Sequence, residues 1–249
     1  MALSINIGKS TNRGNYRESN EDSIEVKKFP DLEIVVVADG MGGQAAGEVA
    51  SKEAVDTIPR ELRKLVTGTV DAESTKTMIR KAIVHANEKI MKMGQIDREM
   101  RNMGTTVVTA VWRKGQELFV AGVGDSRVYL VRGQEITQLT VDHSMAQALV
   151  EAKSISVAEA QVHRFRHMLW KYLGGRDVGD GPDVHVQAIQ AGDRFLLCTD
   201  GLHGVVTDDK IMQYMAGQRE CQACADGLVQ LALDSGSRDN VSCIVMDVV

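Results

Sequence analysis

The chain has 249 residues, of which 43% are apolar and 25% are charged, with a formal net charge of -5. This length and apolar content allow a sizeable core, and we expect one domain over residues 1–249. The acidic balance gives no electrostatic footprint for nucleic acid or an anionic membrane. Residues 1–20 lack the apolar region of a signal peptide, and no stretch reaches the roughly 18 apolar residues of a membrane span, so we expect a cytoplasmic protein.

The first strong pattern is an apolar run that ends in a carboxylate. Residues 34–38 read IVVVA, which predicts a buried strand, and Asp39 follows directly, before glycines at 40, 42 and 43. Desolvating an unpaired carboxylate costs several kcal/mol, so the charge of Asp39 needs compensation. Beyond it, apolar residues recur at spacings of three and four over 45–65 and 73–93, which predicts two amphipathic helices.

The rest of the chain alternates between runs of strands and runs of helices. Residues 105–139 contain short β-rich runs joined by turns, which predicts an antiparallel meander. Further strands are predicted at 184–189, 194–198 and 241–248, and further helices at 144–151, 157–167, 208–215 and 221–233. This order favours layers of helices and sheets over a parallel, doubly wound sheet.

The combination of an apolar run and an acid occurs four times. It recurs at residues 119–125 (FVAGVGD) and 195–200 (FLLCTD), and in reverse at Asp239, which precedes the apolar run 241–249. Any one of these acids reads as an ordinary turn residue, and their repetition carries the prediction. If the strand ends converge, two divalent cations would neutralise the acids. Oxygen-only ligands favour magnesium or manganese over zinc or copper.

Two other features invite a metal interpretation that the pattern does not support. His143 follows Asp142 in a turn, where a structural role is expected. Cys221 and Cys224 form a CxxC without a second such pair, and they share one face of a predicted helix, so we expect them to be buried. The remaining two cysteines lie in apolar strand patterns, and we expect no disulfide framework.

Seven motifs, taken in order, resemble those of a known family. They are TNRGNYRESNEDS (11–23), VVADGMGG (36–43), GTT (104–106), VGDSRVYL (123–130), LTVDHS (139–144), LLCTDGL (196–202) and SRDNVS (237–242). This set is similar to that of the metal-dependent protein phosphatases, the type 2C Ser/Thr phosphatases, in their compact bacterial form. The resemblance implies an α+β fold, a four-layer αββα sandwich in which two antiparallel β-sheets are flanked by helices. It also implies two Mn2+ or Mg2+ ions and a weaker third site.

The resemblance implies the following metal ligands: Glu21, Asp22, Asp39, Gly40, Asp125, Asp200 and Asp239. Asp39 would bridge two ions, and Asp200 and Asp239 would complete the shell of one. The backbone carbonyl of Gly40 and one of the two acids of the Asn-Glu-Asp motif would serve the other ion. Asp125 with Asp200 would form the third site. The motif leaves open which of the two neighbouring acids is the direct ligand.

The implied reaction is hydrolysis of phosphoserine and phosphothreonine in proteins by a metal-activated water, without a phosphoenzyme. Arg17 would hold the substrate phosphate, because a guanidinium offers two parallel donors. No cysteine begins the CxxxxxR pattern of cysteine phosphatases. The implied partners are phosphorylated proteins and a Ser/Thr kinase of bacterial signalling, with the enzyme acting as a monomer.

Some features depart from the family pattern or leave alternatives open. Met41 stands where some relatives carry a histidine, and a thioether cannot donate a proton, so the general acid is unassigned. Residues 144–173 resemble the family's flap, and Arg164, Arg166, His167 and Trp170 there predict a specificity region.

Two rival functions remain at this point. One is a catalytically inactive pseudophosphatase that serves as a binding module. The other is dinucleotide binding, since residues 40–45 fit GxGxxA with Glu61 about twenty residues on. Asp39 opposes the second rival, because a carboxylate directly before the turn would repel a pyrophosphate.

Overall fold

Two antiparallel sheets form the centre of the computed structural model, which describes residues 3–42, 46–66, 70–115 and 117–249. The first, here the β11 sheet, comprises β1 (Ile5–Asn12), β7 (Arg127–Arg132), β8 (Glu135–Gln138), β10 (Arg194–Cys198) and β11 (Val241–Val248). Its strand order is β1-β11-β10-β7-β8.

The second sheet, here the β3 sheet, comprises β2 (Asp22–Lys28), β3 (Leu32–Met41), β5 (Val107–Arg113), β6 (Leu118–Val123) and β9 (Val184–Gln187). Its order is β2-β3-β5-β6-β9, and the short β4 (Gly104–Thr105) pairs with the end of β3. The helices are α1 (Ala46–Leu65), α2 (Ala72–Ile96), α3 (Met145–Glu151), α4 (Val157–Gln161), α5 (Asp200–His203), α6 (Asp208–Gly217) and α7 (Cys221–Asp234).

Helices cover both outer faces of the paired sheets. The strand β3 shows why: Ile34, Val36 and Ala38 pack against the buried faces of α1 and α2. The alternate residues Val35 and Val37 point the other way and pack in the layer between the sheets. A third apolar cluster joins the β11 sheet to α5, α6 and α7. Because side chains alternate along a strand, the sheets are apolar on both faces. The predicted four-layer αββα sandwich is confirmed.

Most predicted elements are confirmed, with two corrections. Residues 105–139 do not form one meander, because β5 and β6 pair in the β3 sheet whereas β7 and β8 pair in the β11 sheet. The turn after Gly124, whose φ is 100°, therefore carries the chain between sheets. The helix predicted over 157–167 ends at Gln161.

The cysteine prediction holds in the structure, since all four cysteines are free and buried. Cys221 and Cys224 lie on the buried face of α7. Of the GxGxxA pattern, residues 43–45 lie outside the described part of the chain. Within the described residues, every helix is too short or too polar to cross a bilayer.

Candidate metal centre

The strand register explains why the acids meet. Asp22, at the start of β2, lies opposite Asp39, near the end of β3. Asp39 has the same parity as Val35 and Val37, and Asp22 the same parity as Ile24, so both acids continue the faces that pack between the sheets. The apolar layer between the sheets therefore ends in paired carboxylates.

The Asp22 side chain is buried, and only one of its two carboxylate oxygens has a hydrogen-bond partner among the described residues. Its Oδ2 accepts a hydrogen bond from Thr199 Oγ1 at 3.0 Å. Its Oδ1 is buried and has no hydrogen-bond partner in the described residues. Burial raises the pKa of the Asp22 carboxyl to about 7; the nearby hydroxyls of Ser242 and Thr199 oppose this rise, and the charges of Asp200 and Asp239 add to it. A buried acceptor without a partner is costly, and a cation is the partner that an ionised carboxylate favours.

Asp39 is held by its backbone while its side chain faces other acids. Its amide donates to Thr106 Oγ1 at 3.0 Å, and its carbonyl accepts from the Thr106 amide at 2.8 Å. Burial raises the pKa of Asp39 well above its usual value, and the carboxylates that raise it further are Asp22, Asp200, Asp125 and Asp239. The structure therefore brings all five aspartates into one electrostatic cluster.

Asp125 and Asp200 lie at two other strand ends, Asp125 in the turn that crosses from the β3 sheet to the β11 sheet and Asp200 at the end of a strand of the β11 sheet. Asp125 follows β6, and Asp200 is the first residue of α5, directly after β10. Ligand atoms of Asp125, Asp200 and His167 all lie within 4.8 Å of one another. Burial raises the pKa of Asp125 to about 7. Burial also opposes ionisation of Asp200, but the hydrogen bond from His167, with Nδ1 and Oδ2 3.2 Å apart, leaves its pKa lowered.

Asp239 forms an ion pair with Arg17, the arginine that the sequence predicts at the site. Arg17 Nη2 donates to Asp239 Oδ2 at 2.6 Å, and the Arg17 side chain is 51% exposed. Asn240 fixes the loop that carries Arg17, because its side-chain amide donates to the carbonyls of Arg13 and Ser19 and its Oδ1 accepts from the Glu21 amide. The guanidinium is thus placed at the solvent side of the acids.

Gly40 and Glu21 lie beside the start of α1. The Gly40 amide donates to the Glu21 carbonyl at 3.1 Å. A Cβ at Gly40 would lie 2.1 Å from the Gly47 carbonyl oxygen, so only glycine allows this approach of β3 to α1. A Cβ at Gly47 would lie 2.7 Å from Glu21 Oε2, so the Glu21 carboxylate lies beside this glycine, and burial raises the pKa of Glu21. Both acids of the Asn-Glu-Asp motif therefore border the cluster, since the charge of Asp239 acts on each of them.

Sequence reasoning missed several residues that hold the cluster. Thr199 directly precedes the predicted ligand Asp200, and Asn240 directly follows the predicted ligand Asp239. The alternation of side chains along β10 could have placed the Thr199 hydroxyl in the layer between the sheets. His167 belongs to the predicted specificity region, and its ring also lies 3.2 Å from Asp200 Oδ2, a contact that the sequence pattern did not indicate. His143 is structural, as predicted: its Nδ1 accepts from the Gly124 amide at 3.1 Å, and its ring packs edge-on against Trp170.

The donor set fits divalent cations. Carboxylates that raise one another's pKa, and a buried Asp22 oxygen without a partner, describe a pocket short of positive charge. In the described residues Arg17 is the one arginine or lysine that pairs with a member of the cluster. One guanidinium does not balance five carboxylates, whereas divalent ions do.

Comparison with known proteins gives consistent matches over nearly the whole chain. The family model of protein phosphatase 2C matches residues 8–232. A serine/threonine phosphatase stp of Listeria welshimeri is 35% identical over 238 residues, which are 95% of this chain and 93% of that protein. The crystal structure of the serine/threonine phosphatase PstP/Ppp of Mycobacterium tuberculosis superimposes with a TM-score of 0.85 at 33% identity, covering 98% of both chains. A crystal structure of the PstP catalytic domain in complex with two manganese ions superimposes with a TM-score of 0.83 at 34% identity, covering 99% of both chains.

Proposed function

Because this chain belongs to the protein phosphatase 2C family, we propose that it is a metal-dependent phosphatase of phosphoserine and phosphothreonine in proteins. The observation that carries this function is the convergence of five aspartates from separate strand ends on one pocket. A pseudophosphatase is disfavoured, since Asp39, Asp200 and Asp239 are all retained there.

The proposed ligands follow the placement of the acids. The charges of all four other aspartates act on Asp39, which would be shared between two ions, with Asp200 and Asp239 completing the ligands of one of them. Gly40 and one of Asp22 and Glu21 would serve the other side, and the unpartnered Oδ1 favours Asp22. The chemistry that Mn2+ or Mg2+ ions supply when bound is activation of a water nucleophile and neutralisation of charge on the phosphoryl group.

The protein's own contribution begins with Arg17. Its side chain is half-exposed, at the mouth of the cluster, and its hydrogen bond with Asp239 raises its pKa, so it stays cationic. Turning from Asp239 toward solvent, the guanidinium would offer two parallel donors to phosphate oxygens. Arg17 would thus bind and orient the phosphoryl group.

No side chain in the described residues is suited to form a phosphocysteine intermediate. All four cysteines are buried, and burial raises the pKa of the Cys221 thiol to about 12. Thiolates are the reactive form of cysteine, so these thiols are inert at neutral pH. This agrees with direct attack by water.

The biological setting follows from this activity. We propose that the enzyme acts as a cytoplasmic monomer on phosphorylated proteins and opposes a Ser/Thr kinase. Residues 144–173, here the flap, border the acids, and exposed Arg164, Arg166 and Trp170 would contact the protein substrate. Their basic and aromatic character suits acidic residues beside the phosphorylated site.

The test is hydrolysis of p-nitrophenyl phosphate and a phosphothreonine peptide, with and without manganese, by wild type and Asp239→Asn. We expect activity that requires the metal, is abolished by EDTA and falls at least about 100-fold in the variant. Asp234→Asn, at the exposed end of α7, is the matched control and should retain activity. Activity that survives both EDTA and Asp239→Asn would contradict the proposal.

A further inference from the structure

His167 enters the acidic cluster from the flap. Its Nδ1 lies 3.2 Å from Asp200 Oδ2. One ligand atom from each of His167, Asp200 and Asp125 falls within 4.8 Å of the other two. This spacing matches an octahedral ion, in which neighbouring ligand atoms are about 3 Å apart and opposite ones about 4 Å. The group therefore combines two oxygen donors with one nitrogen donor.

Asp125 supplies an independent sign of a ligand. It is 8% exposed, and among the described residues no other residue donates a hydrogen bond to its carboxylate or pairs with it. The nearest arginine along the chain is engaged elsewhere, because Arg127 binds the carboxylate of Asp142 with contacts of 2.7 to 3.2 Å. A buried carboxylate with an oxygen within 4.8 Å of a ring nitrogen of His167 is thus left for a cation.

The approach of His167 is fixed by the flap's attachment to the same turn that carries Asp125. The Trp170 amide donates to the His143 carbonyl at 3.0 Å, and the Met145 amide donates to the Met168 carbonyl at 2.8 Å. His143 in turn bonds to Gly124 through both its amide and its ring. His143 therefore connects the flap residues that follow His167 to Gly124, which precedes Asp125. The His167 ring and the Asp125 carboxylate are thus positioned by the same residue.

We propose that His167 supplies a nitrogen ligand to a third ion held with Asp125 and Asp200, and that this site therefore prefers a divalent transition-metal ion to Mg2+. The inference rests on the proposed function, which supplies the neighbouring ions. Imidazole favours transition metals, whereas magnesium prefers oxygen donors and retained water. The other candidate ligands are all oxygen atoms, so this site alone would contain nitrogen.

The experiment measures nitrogen coordination directly. Wild type, His167→Gln and His163→Gln are stripped of metal, reloaded with Mn2+ and examined by electron spin echo envelope modulation for 14N coupling, with bound ions counted by equilibrium dialysis. His163 lies in the same segment; its ring accepts a hydrogen bond from the Phe165 amide and packs edge-on against the Phe165 ring, away from the acids, so its variant is the matched control. We expect 14N coupling and three ions in wild type and His163→Gln. In His167→Gln the coupling is lost, and the third ion binds at least tenfold more weakly.

Competition with Mg2+ tests the preference. At a concentration that removes the third Mn2+ from His167→Gln, Mg2+ leaves most of it in wild type. Wild type that holds two ions, hydrolyses p-nitrophenyl phosphate and shows no 14N coupling overturns the role of His167 and keeps the phosphatase. Coupling that persists in His167→Gln also overturns it. Wild type that binds no Mn2+ overturns both.

Discussion

Replacing Thr199 by valine removes the hydroxyl that holds Asp22 while it keeps the shape of the side chain. The hydroxyl donates to Asp22 Oδ2 at 3.0 Å and accepts from the Ser242 amide at 3.1 Å, and Thr199 is fully buried. Loss of a hydrogen bond to a charged acceptor, together with a buried amide left unpaired, costs about 3 kcal/mol. For a protein of this size we expect the melting temperature to fall by about 9 °C.

The same change should reach the metal centre. Without the Thr199 hydroxyl, Asp22 loses its orientation, and residues that orient a ligand typically contribute about tenfold in metal affinity. Thr109→Val is the matched control, since its buried hydroxyl donates to the Val35 carbonyl at 2.9 Å, away from the acids. It should lose about 1 kcal/mol and bind manganese normally. Scanning calorimetry measures the loss of stability, and manganese titration measures the loss of affinity. Wild-type manganese affinity in Thr199→Val would show that the Thr199 hydroxyl does not hold Asp22 for the metal.

Two further changes probe phosphate binding and packing at the site. Arg17→Lys keeps the charge but loses the planar guanidinium, so we expect kcat/KM to fall about tenfold with manganese affinity unchanged. The control Arg13→Lys, in the same loop, should leave kcat/KM unchanged. Equal losses of kcat/KM in both variants would contradict a role of Arg17 in phosphate binding. Gly201→Ala places a Cβ 1.9 Å from the Asn240 carbonyl oxygen, which should lower the free energy of unfolding by about 2 kcal/mol and weaken manganese binding. The control is Gly217→Ala, because a Cβ there meets nothing within 4 Å. Equal stability of the two variants in chemical denaturation would show that the contact is unimportant.

The strands and the meeting of the acids could be predicted because both follow from local rules. An apolar run such as Ile34 to Ala38 identifies a buried strand, and an acid at its end must find a counter-charge. Alternation then places Asp39 on the face shared with Val35 and Val37, which the structure puts between the sheets. What the pattern could not give is the pairing of strands across the two sheets.

The features that the sequence did not predict lie in turns, where the chain leaves helices and strands. The helix predicted over 157–167 ends at Gln161, and the following turns aim His167 at Asp200. No periodicity determines the direction of a side chain in such turns. The turn at Gly124 reads like a hairpin, but it crosses between sheets, because β6 and β7 have different partners. Long-range pairing determines both outcomes.

The most direct test of the central claim is anomalous diffraction at the manganese edge from crystals grown with Mn2+. We expect two strong peaks beside the Asp39 carboxylate, one of them also within bonding distance of Asp200 and Asp239. Crystals without anomalous density among these carboxylates, or with the acids each paired to a lysine or arginine, would contradict it.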